Sequence, residues 1–149
     1  MGARALADRG ARYSRRAMRL VLVLAVGLLV LASACGGAEP SVYKAEPSAR
    51  CLRDEGYRVT TARADLGVVE KGAEHGGLIA FEPGNAVRIS FGANSDDALG
   101  IQRGYRRFVP KRVRPHITDV MRTEKNAVLL WTVTPPQEEM DKVFGCLRG

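Results

Sequence analysis

Apolar and polar positions along this chain fall into two regimes. Leu20 to Ala32, LVLVLAVGLLVLA, is apolar with only Gly27 as relief, and no other stretch is comparably long and apolar. Beyond Pro47 the apolar residues become periodic. In AVRISF, from Ala86, the residues Val87, Ile89 and Phe91 alternate with Arg88 and Ser90, the pattern of a strand with one buried face. Further strand signals are YRVTTA from Tyr57, LGVVE from Leu66, GLIAF from Gly77, HITDVMRT from His116 and NAVLLWTV from Asn126. The last is apolar enough to be central. Pro83-Gly84-Asn85 and Glu124-Lys125-Asn126 supply turns between consecutive strands.

Three segments switch to the helical period. Between Pro47, suited to a first helical position, and Gly56, suited to a left-handed C′ position, PSARCLRDEG predicts a short helix. In NSDDALGIQRGYRRF the residues Ala98, Ile101, Tyr105 and Phe108 form one apolar stripe, with Asn94 or Ser95 as cap, Asp96 and Asp97 in the first turn, and Pro110 as terminator. A final helix follows Thr134-Pro135-Pro136, with Met140, Val143, Phe144 and Leu147 facing the core. The expected class is α+β, an antiparallel sheet of four to five strands with helices on one face.

The unbroken run is read as a leader. Thirteen residues at about 1.5 Å each span about 20 Å, short of the roughly 30 Å hydrocarbon core, so the run reads as a cleavable export signal behind a basic n-region. That n-region includes SRRAMRL, which resembles a twin-arginine motif; ordinary unfolded export remains the alternative. The run ends in LASACGG, which resembles a bacterial lipobox. The resemblance implies a diacylglyceryl thioether on Cys35, cleavage before it, and anchoring of the mature chain to a membrane. Ala32-Ser33-Ala34 also fits ordinary signal peptidase, which would release a secreted soluble protein. The chain of 149 residues thus divides into a leader, 1–34, a small polar tether, 35–46, and one domain, 47–149.

The leader changes the meaning of the charge. The net charge of +7 rests on 23 basic and 16 acidic residues; setting aside the six arginines and Asp8 ahead of Leu20 leaves 17 against 15. A nearly neutral mature chain has no general electrostatic reason to bind a polyanion, and no nucleic-acid partner is expected.

Three cysteines remain to be placed. Cys51 and Cys146 can pair, which leaves Cys35 over, and acylation would remove that spare thiol. On helical wheels Cys146 lies about 115° from the centre of its apolar stripe and Cys51 about 125° from the Ala45, Ala49, Leu52 side. Both leave sideways, as in a disulfide between neighbouring helices on one side of a sheet. Two buried free thiols are the alternative.

Catalytic and metal signatures are absent from the sequence. His75 and His116 lie far apart with no Cys or His at ligand spacing, so neither a metal nor a cofactor is expected. The chain has no nucleophile elbow, phosphate-binding loop or Cys-x-x-Cys motif. An enzymatic alternative would need convergence around His75, His116 or Asp119. The densest charge lies in RGYRRFVPKRVR, where Arg103, Arg106, Arg107, Lys111, Arg112 and Arg114 form a candidate contact for anionic surfaces. The first three centre about 170° from the apolar stripe, so the expectation is a solvated basic face with the aromatics turned inward.

The elements CLRDEGYRV, AVRISFGANSDDA, RTEKNAVLLWT and GCLRG, in this order, resemble a group of small secreted or lipid-anchored bacterial proteins without assigned activity. The resemblance covers Pro47 to Gly149, implies a ferredoxin-like α+β layer, and carries no catalytic residue across. Together these readings give a lipoprotein on the outer side of a membrane, with a non-enzymatic binding module whose protein or small-molecule partner is unnamed.

Overall fold

A computed structural model describes residues 42–149; Cys35 and the leader lie outside the described residues. In chain order the elements are α1 (Ala45–Asp54), β1 (Arg58–Thr60), α2 (Val68–Gly72), β2 (Gly77–Glu82), β3 (Asn85–Phe91), α3 (Ser95–Phe108), α4 (Ile117–Val120), β4 (Met121–Glu124), β5 (Ala127–Trp131) and α5 (Gln137–Arg148). A 3-10 turn, Arg114–His116, leads into α4. The strands form one sheet in the order β1-β2-β3-β5-β4, and every neighbouring pair is antiparallel. The class is α+β.

Local signals account for the helix ends. Gly56 adopts φ 91°, and the N–H groups of Gly56 and Tyr57 donate to the carbonyls of Arg53 and Leu52 at 3.0 and 2.9 Å. This is the Schellman arrangement that a C′ glycine permits. At the start of α3, Asn94 Oδ1 accepts from the Asp97 N–H at 3.0 Å and Asp97 Oδ2 accepts from the Ala93 N–H at 3.0 Å. The reciprocal pair satisfies donors that the first turn leaves open.

Two strand expectations are corrected. LGVVE opens α2 instead, because Gly77 on β2 has no side chain and lets the helix approach: a Cβ there would lie 2.9 Å from the Glu70 backbone. Only the second half of HITDVMRT is strand. Pro115 sits in the opening turn of a 3-10 helix, and the chain stays helical to Val120 before β4 begins.

The helices, expected on one face, lie on both. Pairing of β3 with β5 sets Val87, Ile89 and Phe91 beside Trp131, Leu129 and Ala127 on one side, and Arg88 and Ser90 beside Leu130 and Val128 on the other. On the first side, the Trp131 indole N–H donates to Glu139 Oε1 of α5 at 2.7 Å, and its ring meets Phe144 edge-on. On the second, the Ser90 and Tyr105 hydroxyls lie 2.9 Å apart, which seats α3. All five residues of β5 are buried, as its apolar sequence requires.

The folded layer begins ahead of Pro47. Tyr43 is 1 % exposed, and its N–H and C=O both bond the side-chain amide of Asn126, at 2.8 and 2.9 Å. Asn126 also donates to Gly92 O at 2.6 Å, so one buried amide ties the chain entry, the β4–β5 turn and the approach to α3.

On the first side Cys51 and Cys146 form a disulfide across 95 residues of sequence, with Cα atoms 5.4 Å apart. It joins α1 to α5. Reduction, or the pair Cys51→Ala and Cys146→Ala, is expected to lower unfolding free energy by about 2–5 kcal/mol. Urea unfolding with and without reductant checks this; equal midpoints would show that the helices hold without the bond.

Candidate functional site

The second face of the sheet is incompletely covered. α3 stops at Phe108 and α2 is only five residues long, so a cavity of about 510 Å³ remains between them and the sheet. This lies within the range of small-molecule sites, roughly 300–1,000 Å³. Its apolar wall includes Val68, Val69, Phe108, Val113 and Leu130. Arg88 and Arg112 also line it, beside a polar corner formed by Glu70 and Tyr105.

That corner is a connected network. The Glu70 side chain is 2 % exposed; its Oε1 accepts from the Tyr105 hydroxyl at 3.0 Å and lies 3.5 Å from Arg88 Nη1. Burial, followed by the Glu70 charge, pushes the Tyr105 hydroxyl well above its ordinary value, so it stays a donor. The Ser90 hydroxyl completes the set from β3. Four polar side chains from α2, β3 and α3 therefore brace the cavity floor.

Phe108 departs from its expected place. Tyr105 continues the buried stripe, but Phe108 is 58 % exposed, because the helix ends and Val109 turns inward in its stead. The Phe108 ring lies against the Arg107 guanidinium at 5.5 Å. Of the candidate basic contacts, Arg114 is engaged with the fold, donating to Val109 O and Arg107 O at 3.3 and 3.0 Å. Arg103, Arg106, Arg107, Lys111 and Arg112 are exposed, and among them only Arg112 lines the cavity.

Comparison with family models, curated proteins and solved structures gives no match to this chain. The site is therefore read from its own chemistry.

The histidines do not converge on the cavity. His116 Nδ1 lies 3.7 Å from Asp119 Oδ2, with both side chains largely exposed, whereas His75 occupies the turn before β2 and uses its backbone to bond Phe91 and Ala45. None of the three lines the cavity. Among the described residues, no group of three or more His, Cys, Asp or Glu is arranged to hold a metal ion. Sequence reasoning passed over Glu70, Arg88 and Tyr105 as a group. The one legible signal is Arg88, an arginine at the centre of the strand AVRISF.

The first face carries a carboxyl pair. Glu139, 5 % exposed, accepts from the Trp131 indole and from Asn85 Nδ2, the latter at 3.1 and 3.0 Å. Its hydrogen bond to Glu82, then burial and like charge, push Glu82 up to about 7, against a smaller opposing pull from Lys142. Nearby, the buried Tyr57 hydroxyl has no hydrogen-bond partner, and it is pushed up to about 12, chiefly by burial. The pair holds a proton where isolated glutamates would both be ionised.

Two outcomes follow from these networks. Tyr105→Phe is expected to cost about 1–3 kcal/mol, since the buried Glu70 carboxyl loses a donor; urea unfolding that matches the parent chain would show the bond to be dispensable. For Glu82, a carboxyl raised in the folded state binds its proton more tightly than in the unfolded chain. Stability then falls as pH rises from about 4.5 through about 7. Glu82→Gln should flatten that slope and gain about 1 kcal/mol at pH 8, discounted for partial solvent exposure. Thermal unfolding of both chains across pH 4–8 measures it, and parallel curves would sink the assignment.

Proposed function

We propose that this protein is an extracytoplasmic lipoprotein, acylated on Cys35, whose domain is a non-enzymatic binding module held at a membrane surface. The observation that carries this reading is the Cys51–Cys146 disulfide. It uses two of three cysteines and leaves Cys35 as the odd one, at the end of the apolar leader and before two glycines. A disulfide also fits an oxidising compartment outside the cytoplasm. Support for a binding role comes from the braced, largely apolar cavity, which holds neither His75, His116 nor Asp119. A second reading, a secreted protein that contacts anionic polymers, draws support from the exposure of Arg103, Arg106, Arg107, Lys111 and Arg112 on one stretch.

Intact mass of the protein recovered from its own membranes tests the first reading. The expected chain begins at Cys35 and carries the mass of a diacylglyceryl group, and Cys35→Ala is expected to lose membrane association. An unmodified Cys35 on protein found free in the medium would support the secreted reading instead. In that case binding to an anionic polymer should weaken steeply with salt.

A further inference from the structure

We propose that the cavity between α2, the end of α3 and the sheet binds a single-chain amphiphile with an anionic head, the head at Arg88 and Arg112 and the chain along Val68, Phe108 and Leu130. The inference rests on the binding-module reading and names its ligand class. Three observations carry it.

The first is where apolar surface is left in water. Among the described residues the large hydrophobic side chains that stand exposed are Val68, Leu99, Phe108 and Val133, and two of these, Val68 at 59 % and Phe108 at 58 %, line this one cavity from different elements. Scattered exposed side chains are ordinary, whereas two converging on a concave apolar wall extend that wall outward. Val113 and Leu130 continue it inward. A ligand covering that path must itself be apolar and elongated.

The second is the sign of the charge a ligand would meet. Glu70 is the acidic residue of the lining, and its 2 % exposed carboxylate is already occupied by Tyr105 and Arg88. The charges that face solvent are both guanidinium groups: Arg88, with 39 % of its side chain exposed, and Arg112, which is exposed and makes no ion pair or hydrogen bond among the described residues. A cationic head would meet two like charges and could reach Glu70 only by displacing a buried network. An anionic head meets complementary charge at Arg112 and at the exposed part of Arg88, and leaves the buried Tyr105–Glu70 bond in place.

The third is rigidity. The floor is held by bonds from three elements, Ser90 to Tyr105 and Tyr105 to Glu70, and Gly77 admits α2 so closely that this wall cannot settle further onto the sheet. The space is built by the fold and need not be opened by the ligand.

The test uses the full chain carrying Cys35→Ala, so that its outcome does not depend on the anchor. Alkyl sulfates of eight, ten and twelve carbons, each kept below its micelle concentration, are titrated by calorimetry. Affinity is expected to rise by about fourfold for each methylene buried. Arg112→Gln should weaken the sulfates about tenfold and leave a neutral alkyl maltoside unchanged. Phe108→Ser and Val68→Ser, both at exposed positions, should remove the dependence on chain length while circular dichroism stays that of the parent. Alkyltrimethylammonium ions of equal length are expected to bind at least tenfold more weakly.

Equal binding of cationic and anionic chains would overturn the ligand class and leave the binding module standing. Absence of binding by every amphiphile would likewise overturn the ligand class, without bearing on the Cys35 reading, which the mass measurement tests separately. Association with anionic vesicles but with no monomeric amphiphile would overturn the cavity as the site, making the contact one of surface charge alone.

Discussion

The structure depends on a pair of central strands that must be buried on both faces. β3 and β5 lie side by side in the middle of the sheet, with Val87, Ile89, Phe91, Leu129 and Trp131 on one side and Ser90, Val128 and Leu130 on the other. Covering a single face would leave half of that surface in water, at roughly 1.5–3 kcal/mol for each large side chain. The helices are accordingly divided between the two sides. Everything distinctive about the domain comes from the different ways in which those two layers are held.

The layer of α1 and α5 is fastened covalently and by polar contacts, some buried and some at the surface. The disulfide joins the two helices, Glu139 takes the Trp131 indole, and Arg148 on α5 reaches Glu124 on β4 at 2.8 Å. Asn126 closes the end of the sheet over the entering chain. Except at the Tyr57 hydroxyl, each buried side-chain polar atom among the described residues has a hydrogen-bond partner, as a layer this dry requires.

The opposite layer is thinner and has no covalent tie among the described residues: Ala98 and Ile101 of α3 bury apolar surface, and a polar network fastens its edge. α3 reaches the sheet through Tyr105 and then stops, while α2 supplies a single short turn that buries Glu70 against it. The cavity is the space these two elements fail to fill, and its chemistry follows from how they are anchored. Glu70 is buried in the floor, and Arg88 and Arg112 are the more exposed charges of the lining.

Much of this domain was legible along the chain. Alternation in AVRISF and the stripe of Ala98, Ile101 and Tyr105 marked a strand and a helix, Gly56 and Asn94 marked helix ends, and the wheel positions of Cys51 and Cys146 matched helices close enough to be joined. These are local properties, set by the conformational limits of glycine, by capping and by the periodicity of burial within one element. LGVVE misled because two adjacent valines favour a strand, and the space for a helix came from Gly77 on another element. Phe108 misled because its period belongs to a helix that ends beneath it. The face each helix would cover, and the meeting of Glu70, Arg88 and Tyr105, depend on which strands become neighbours. That choice is made by long-range burial, and no spacing along a single segment encodes it.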